Sequence, residues 1–185
     1  MTQRSQQDPL PDVIESRRAH DGFFGLRVDR LRFADGREST SEVIEHPGGI
    51  TLVALDNQGR VLLVRQYRHP CGRWLLELPA GTLELGEAPE VCAERELQEE
   101  AGYRPGRLRK LGGFYLAPGY CTEYQTVFLC TGLSESKLEG DEDAIHVERL
   151  SIEAALGCVR DGQIEDAKTA AALLLYLRAA ELGDS

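Results

Sequence analysis

The stretch "GTLELGEAPEVCAERELQEEAGY", residues 81–103, is the most informative part of the sequence because its acidic residues are regularly spaced. It contains seven glutamates, one arginine and no lysine, and a glycine lies at or next to each end. A helix is predicted from Pro89, a favourable first-turn residue, to Ala101, with Gly102 ending it. An acidic helix is often only a solvated surface, so the spacing of its carboxylates decides whether this one does more.

Three of the glutamates, Glu96, Glu99 and Glu100, share one face of the predicted helix because residues three and four apart are neighbours on a helix. The apolar residues on the adjacent stripe are Ala93, Leu97 and Ala101. If that stripe packs on a sheet, the carboxylates lie along the edge of a buried face. Like charges at this spacing repel, and a hard divalent cation with oxygen ligands removes the repulsion. The alternative interpretation of these residues alone is a solvated acidic face.

The same stretch resembles the Nudix box, G-x5-E-x7-R-E-U-x-E-E-x-G-U, in which U is a bulky apolar residue. The matching positions are Gly81, Glu87, Arg95, Glu96, Leu97, Glu99, Glu100, Gly102 and Tyr103. The preceding "WLLELPAG" enters the box as it does in members of the family. The resemblance implies an α/β protein with the Nudix α/β/α sandwich around a mixed sheet, preceded by a small N-terminal β segment.

The resemblance also implies roles for individual residues. The expected metal ligands are the carboxylates of Glu96, Glu99 and Glu100 and the main-chain carbonyl of Ala80. Glu99 is also a candidate catalytic residue. The expected metal is Mg²⁺, with Mn²⁺ as an alternative. Glu87 and Arg95 are expected to form an ion pair that holds the loop against the helix, and Gly81 and Gly102 to adopt backbone conformations that side chains disfavour.

Features outside the box resemble the ADP-ribose pyrophosphatase branch of the family. They are Pro118 in "GGFYLAPGYCTE", Arg68 in "VRQYRHP", and an N-terminal segment like the one that such enzymes exchange across a homodimer. Arg68 is a candidate contact to the substrate phosphate, and Glu77 is a second candidate substrate contact. Each has a simpler explanation: an ordinary Pro-Gly turn for Pro118, a strand-end charge for Arg68 and a surface carboxylate for Glu77.

A catalytic base is expected in the acidic loop "LEGDEDAIHVERL", because the branch uses a glutamate on such a loop to activate water. Glu142 is the first choice and Asp143 the alternative. The predicted reaction is Mg²⁺-dependent hydrolysis of ADP-ribose to AMP and ribose 5-phosphate. A broader nucleoside-diphosphate-sugar pyrophosphatase and a non-catalytic nucleotide-sugar sensor are the alternatives.

Composition disfavours a nucleic-acid-binding protein, a membrane protein and a zinc protein. The formal net charge of -10 disfavours a nucleic-acid partner, which needs a basic face. No apolar run approaches the roughly 20 residues that span a bilayer, and the start of the sequence lacks the apolar core of a secretory signal, so a cytoplasmic location without a membrane partner is expected. Five cysteines and four histidines show no zinc-like spacing, and reduced thiols are the simpler expectation.

The expected organisation is a poorly ordered segment at residues 1–20, a β segment at 21–47 that takes part in dimer exchange, and a Nudix domain at 48–185. The β segment reads as two strands around the turn Asp35-Gly36. "ITLVAL" and "RVLLVRQY" are predicted to form a second hairpin, and "WLLEL", "QTVFLC" and "AIHVERL" further strands. Two more helices are predicted at 152–161, capped by Ser151, and at 167–181, capped by Asp166.

Overall fold

The strands and helices divide between two units in the computed structural model, which describes residues 9–138 and 145–183. The first unit comprises Met1–His46 and Ala117–Glu123, and the second comprises Pro47–Leu116 and Tyr124–Ser185. The residues that match the acidic box all belong to the second unit.

The first unit contains a three-stranded antiparallel sheet in the order β1-β2-β3. Its strands are β1 (Asp12–Asp21), β2 (Gly25–Arg32) and β3 (Glu38–Glu45). The predicted pairing of β2 with β3 is confirmed. The expectation of poor order up to residue 20 does not hold from Asp12 onward, where β1 pairs with β2. Sequence patterning did not reveal β1 because it is almost entirely exposed, and polar contacts such as the hydrogen bond from Ser16 Oγ to Asp29 Oδ1 (2.7 Å) join it to its neighbour.

The second unit contains the remaining elements. Its strands are β4 (Gly49–Ala54), β5 (Val61–Arg68), β6 (Arg73–Glu77), β7 (Ala80–Thr82), β8 (Tyr103–Arg104), β9 (Arg107–Tyr115), β10 (Tyr124–Thr131), β11 (Ser134–Glu135) and β12 (His146–Leu150). Its helices are α1 (Pro89–Glu96), which continues as a π-helical turn (Leu97–Ala101), α2 (Ile152–Arg160) and α3 (Ala167–Glu181). A mixed sheet has the order β7-β4-β10-β9, with β4 and β10 parallel, and an antiparallel sheet has the order β12-β5-β6.

The predicted hairpin between β4 and β5 is wrong, although the turn between them forms. Gly59 N donates to Asp56 O at 2.9 Å, and a single bridge joins Leu55 to Val61. Beyond that bridge the strands separate into different sheets, because β4 pairs with β10 and β7 while β5 pairs with β6 and β12. Two neighbouring apolar runs suit a hairpin, but the partners that each strand actually takes lie far away in sequence.

Alternating side chains of β4 and β10 supply two hydrophobic cores, one on each face of the mixed sheet. One core includes Val53, Leu129 and Leu173 of α3. The other includes Leu52, Phe128 and the buried stripe of α1 and its π-helical turn. Helices therefore cover both faces, in agreement with the predicted α/β/α sandwich.

Both predicted N-caps of the later helices are confirmed. Ser151 Oγ accepts a hydrogen bond from Ala154 N at 3.1 Å, and Asp166 Oδ2 accepts one from Thr169 N at 2.9 Å. Strand β9 was not predicted, because its run of basic residues and paired glycines is untypical of a strand. Within the described part of the chain, no helix has both the length and the apolar character needed to cross a membrane.

Candidate active site

The box helix packs as its spacing predicts. Ala93 and Leu97 are fully buried, and Ala101 is 8% exposed. Glu96 ends α1, while Glu99 and Glu100 lie in the π-helical turn. Single π turns inside helices occur often at functional sites. The apolar stripe on the sheet thus holds the carboxylates at the edge of a buried face.

Arg95 is the centre of the polar contacts in the box. Its Nε and Nη2 each lie 3.0 Å from an oxygen of Glu87, which forms the expected ion pair between loop and helix. Its Nη1 lies 2.7 Å from Glu96 Oε1 and 3.1 Å from Glu99 Oε2. Mainly because of the hydrogen bonds to Glu87, the pKa of Arg95 is raised. The guanidinium of Arg95 therefore donates hydrogen bonds to three carboxylates.

Glu96 is the least favourably placed of these carboxylates. Its side chain is only 13% exposed. Burial raises its pKa to about 7, helped by the charges of Glu99 and Glu87 and opposed by Arg95. The site thus holds more negative charge than its own cation neutralises.

Two glycines shape the box, but for different reasons. Gly102 follows the π turn with a φ of 77°, the left-handed conformation expected of it. Gly81 does not have a positive φ, so the conformational reason predicted for it is wrong. A Cβ at residue 81 would lie 1.9 Å from Cδ of Glu96. A side chain at residue 81 would displace that of Glu96, a contact between distant residues that the sequence did not reveal.

Ala80, the expected carbonyl ligand, lies beside the box helix. Its N–H donates to Glu100 Oε2 at 2.9 Å, which fixes the start of β7 against the π-helical turn. The structure therefore brings all four predicted metal-ligand residues, Ala80, Glu96, Glu99 and Glu100, into one neighbourhood.

The chemistry of these donors fits a hard divalent cation. All are oxygens, the donor type that Mg²⁺ and Mn²⁺ prefer, and the carboxylates of the box outnumber its one guanidinium. Among the residues described, no three Asp, Glu, His or Cys side chains are already spaced to hold an ion. In this arrangement the guanidinium of Arg95 bonds both Glu96 and Glu99.

Glu77, the second candidate substrate contact, lies buried beneath two cationic side chains. Its side chain is 1% exposed, and its carboxylate accepts hydrogen bonds from Arg68 Nε (3.0 Å) and Nη2 (2.8 Å). Lys168 Nζ also donates to it. A carboxylate enclosed in this way by two cations is part of the framework. Local sequence did not reveal this because Lys168 lies on α3, far along the chain.

The other predicted site residues differ in position and exposure. Arg68 is 37% exposed at the end of β5, which is compatible with a substrate contact. Pro118 is exposed in the first unit, in a turn where Cys121 N donates to Ala117 O at 2.9 Å. Glu142 and Asp143 lie outside the described residues.

The box is also attached to the chain leading toward the acidic loop, by contacts that its sequence pattern does not reveal. Gln98, an unspecified position of the box, donates from Nε2 to Ser136 Oγ at 2.8 Å. Ser136 N donates to Gly102 O at 2.9 Å. The segment that precedes residue 139 is therefore held against the π-helical turn.

Comparisons with known proteins agree with this architecture. The NUDIX domain model matches residues 45–173. The chain is 41% identical over 151 residues to an ADP-ribose pyrophosphatase of Bacillus subtilis (strain 168), covering 80% of this chain and 82% of that protein. It is 36% identical over 152 residues to the methanol dehydrogenase activator of Bacillus methanolicus, covering 80% and 82%. A crystal structure of an ADP compounds hydrolase has the same fold, with a TM-score of 0.86 at 22% identity over 98% of this chain and 100% of that chain.

Proposed function

The chain belongs to the Nudix hydrolase family, and from this premise we propose that it is a magnesium-dependent ADP-ribose pyrophosphatase. The reaction adds water across the diphosphate bond of ADP-ribose and yields AMP and ribose 5-phosphate. The observation that carries the proposal is the complete box, in which Glu87, Glu96 and Glu99 share the single guanidinium of Arg95. The Bacillus subtilis relative supports the choice of ADP-ribose.

The metal-binding residues in this proposal are Glu96, Glu99, Glu100 and the carbonyl of Ala80. Nudix hydrolases need a divalent metal, and Mg²⁺, or Mn²⁺ in its place, supplies charge neutralisation at the phosphate oxygens. Glu99 therefore acts in catalysis through the ion that it binds. Arg95 keeps the cluster assembled, because its contacts to Glu87, Glu96 and Glu99 tie loop and helix together.

The substrate and the water are handled by other residues in this proposal. Arg68 binds a phosphate group through its exposed guanidinium, and Pro118 contributes to recognition of the substrate. Glu142, or Asp143 in its place, deprotonates or orients the attacking water. The N-terminal β segment, residues 21–47, is exchanged across a homodimer and helps to complete the adenine site. The enzyme acts in the cytoplasm.

A substrate panel tests the proposed specificity. Initial rates with Mg²⁺ are measured for ADP-ribose, GDP-mannose, other nucleotide sugars and dinucleotide polyphosphates, and ADP-ribose is expected to have the highest kcat/KM. Equal turnover of several nucleotide sugars would instead establish the broader nucleoside-diphosphate-sugar pyrophosphatase. A rate for ADP-ribose no higher than for GDP-mannose would contradict the choice of substrate.

A non-catalytic nucleotide-sugar sensor is the second candidate, and the relative that is named as an activator of methanol dehydrogenase favours a regulatory role. Glu100→Gln separates the two classes, because it removes a predicted metal ligand while keeping the shape of the side chain. A hydrolase loses nearly all turnover with its fold intact, as checked by circular dichroism. A regulator has no turnover in the wild type, so the variant changes nothing in that assay.

A further inference from the structure

A second polar cluster lies in the same unit, apart from the residues of the box. It consists of Arg68 at the end of β5, Glu77 at the end of β6, and Asp166 and Lys168 at the start of α3. Glu77 accepts hydrogen bonds from both Arg68 and Lys168. Two neighbouring strands, β5 and β6, and a helix that is distant in sequence are therefore joined at one carboxylate.

The electrostatics show that this carboxylate is kept ionised. Burial alone would raise the pKa of Glu77, but the hydrogen bond from Arg68 and the charge of Lys168 outweigh burial, and its pKa is lowered. Removing one partner of a buried ion pair leaves an uncompensated charge, which is costly. Lys168 and Glu77 thus depend on each other's charge.

Lys168 is itself held in place by the first turn of α3. Its Nζ lies 3.0 Å from Asp166 Oδ2, the oxygen that also caps the helix through Thr169 N. Thr169 Oγ1 accepts a hydrogen bond from Leu78 N at 2.8 Å, so the helix start is bonded to the residue directly after Glu77. The geometry of Glu77 is therefore set from two sides by α3.

The contact between Glu77 and Arg68 defines the plane of the guanidinium. Two parallel N–H···O bonds from Nε and Nη2 form the fork geometry that fixes both position and orientation. Arg68 is 37% exposed, whereas Glu77 is 1% exposed, so the arginine alone of this pair faces outward to any extent. An arginine oriented in advance loses less conformational entropy when it binds an anion.

We propose that Lys168 and Glu77 are positioning residues that orient Arg68 for the substrate's diphosphate group. This inference rests on the proposed function and assigns a role to two residues whose side chains are almost entirely buried. Lys168 neutralises part of the charge on Glu77 and fixes its carboxylate, and Glu77 in turn fixes Arg68. Without Lys168, the Glu77 carboxylate is no longer fixed, and the Arg68 guanidinium that is bonded to it moves with it.

A double-mutant cycle on KM for ADP-ribose tests the proposal. The variants are Lys168→Met, which keeps the aliphatic stem and removes the charge, Arg68→Met, and the double variant. Lys168→Met is expected to raise KM about tenfold, because the loss of one charge-assisted hydrogen bond to the substrate has about this effect on binding. The kcat is expected to change less than about twofold. In the Arg68→Met background, Lys168→Met is expected to have no further effect on KM, because its effect passes through Arg68.

The chain provides a matched control and a conservative rescue. Arg73 Nη1 bonds Glu165 Oε1 at 2.9 Å and so also joins β6 to the start of α3, but both side chains are largely exposed. Arg73→Gln is expected to leave KM and kcat unchanged. Lys168→Arg retains the charge and is expected to restore most of the wild-type KM. If Lys168→Met does not fold, Lys168→Gln takes its place in the cycle.

The outcomes separate this inference from the proposed function. A wild-type protein that does not hydrolyse ADP-ribose overturns the proposed function. If the wild type is active, an unchanged KM in Lys168→Met overturns only the inference. An equal rise of KM in the wild-type and Arg68→Met backgrounds also overturns it, since Lys168 then acts independently of Arg68.

Discussion

Two glutamates of the second unit, Glu96 and Glu77, are both largely removed from solvent, yet their pKa values move in opposite directions. The pKa of Glu96 is raised to about 7 by burial, and the pKa of Glu77 is lowered by its partners despite burial. Glu96 shares the single guanidinium of Arg95 with Glu87 and Glu99. Glu77 contacts two cations, Arg68 and Lys168, of which Lys168 also contacts Asp166.

The difference shows which cluster has its negative charge balanced by the protein's own side chains. The complete cluster is Glu77 with Arg68 and Lys168, and the incomplete cluster is the box carboxylates around Arg95. Around Glu77 the protein supplies the full neutralising charge, as a permanent structural ion pair requires. Around Glu96 it supplies too little, and a divalent cation is the group that would make up the deficit. In the proposed metal site, unlike the cluster around Glu77, carboxylates outnumber the positive charges beside them.

The largest expected effect is on turnover when a ligand of the incomplete cluster is neutralised. Glu96→Gln is expected to lower kcat about 10²–10³-fold, because several kcal/mol of transition-state charge stabilisation are lost with the metal. Measured by chemical denaturation in a chelator, its free energy of unfolding is expected not to fall. Glu90→Gln, at an exposed position of the same helix, is the control and should change neither quantity. A marked loss of metal-free stability in Glu96→Gln would break the comparison.

The complete cluster should respond in the opposite way. Glu77→Gln is expected to lower the free energy of unfolding by about 3 kcal/mol at pH 7, because Arg68 and Lys168 then face a neutral amide. Since the pKa of Glu77 is lowered on folding, its carboxylate stabilises the protein above its ordinary pKa of 4.5. That contribution is lost as the pH falls through the lowered value. Unfolding curves from pH 7 down to pH 3 should therefore show the wild type and variant converging only below about pH 4.5; a constant difference would contradict the assignment.

A smaller effect is expected from the steric support of the incomplete cluster. Gly81→Ala places a methyl group 1.9 Å from Glu96 Cδ, so the Glu96 side chain must move. The expected result is a loss of kcat of about 10- to 100-fold, comparable to a misplacement of about 1 Å in an active site. Gly157→Ala in α2, where the nearest atom is the end of Arg160 at 3.8 Å, is the control and should retain full activity. Full activity in Gly81→Ala would show that Glu96 works equally well from another position.

The smallest effect is expected at the exposed ion pair between Arg73 and Glu165. Its geometry is as good as that of the buried pairs, but exposed pairs contribute little because water and salt screen them. Arg73→Gln should change the free energy of unfolding by less than about 0.5 kcal/mol, measured beside Glu77→Gln. A loss as large as that in Glu77→Gln would show that burial is not what separates the two pairs.

The sequence predicts the incomplete cluster well because all but one of its members lie in a single short motif. Helical spacing places Glu96, Glu99 and Glu100 together, and the match to the box assigns the ion pair of Glu87 with Arg95. The complete cluster could not be predicted, since Lys168 reaches Glu77 only through the packing of α3 on the sheet. For the same reason the β4–β5 hairpin was wrong: strand partners are a tertiary choice, and apolar runs do not encode them.

The role of Gly81 could be predicted only in part from the sequence. The glycine at Gly81 could be expected from the box, but its reason could not, because φ alone does not show the close approach of Glu96. Strand β1 escaped prediction because its side chains are exposed and polar pairs replace the usual apolar alternation. Apolar patterns in a sequence predict the elements that pack on a core. They do not predict elements, such as β1, that are held mainly by polar and charged contacts.

The central claim is that the incomplete cluster binds a divalent metal and hydrolyses ADP-ribose with it. The most direct measurement is the release of AMP and ribose 5-phosphate from ADP-ribose by the wild-type protein, with Mg²⁺ and after removal of metal by a chelator. We predict equal amounts of the two products with Mg²⁺, almost none after chelation, and recovery when Mg²⁺ is restored. Release that chelation does not affect, or no release with Mg²⁺ present, would contradict the claim.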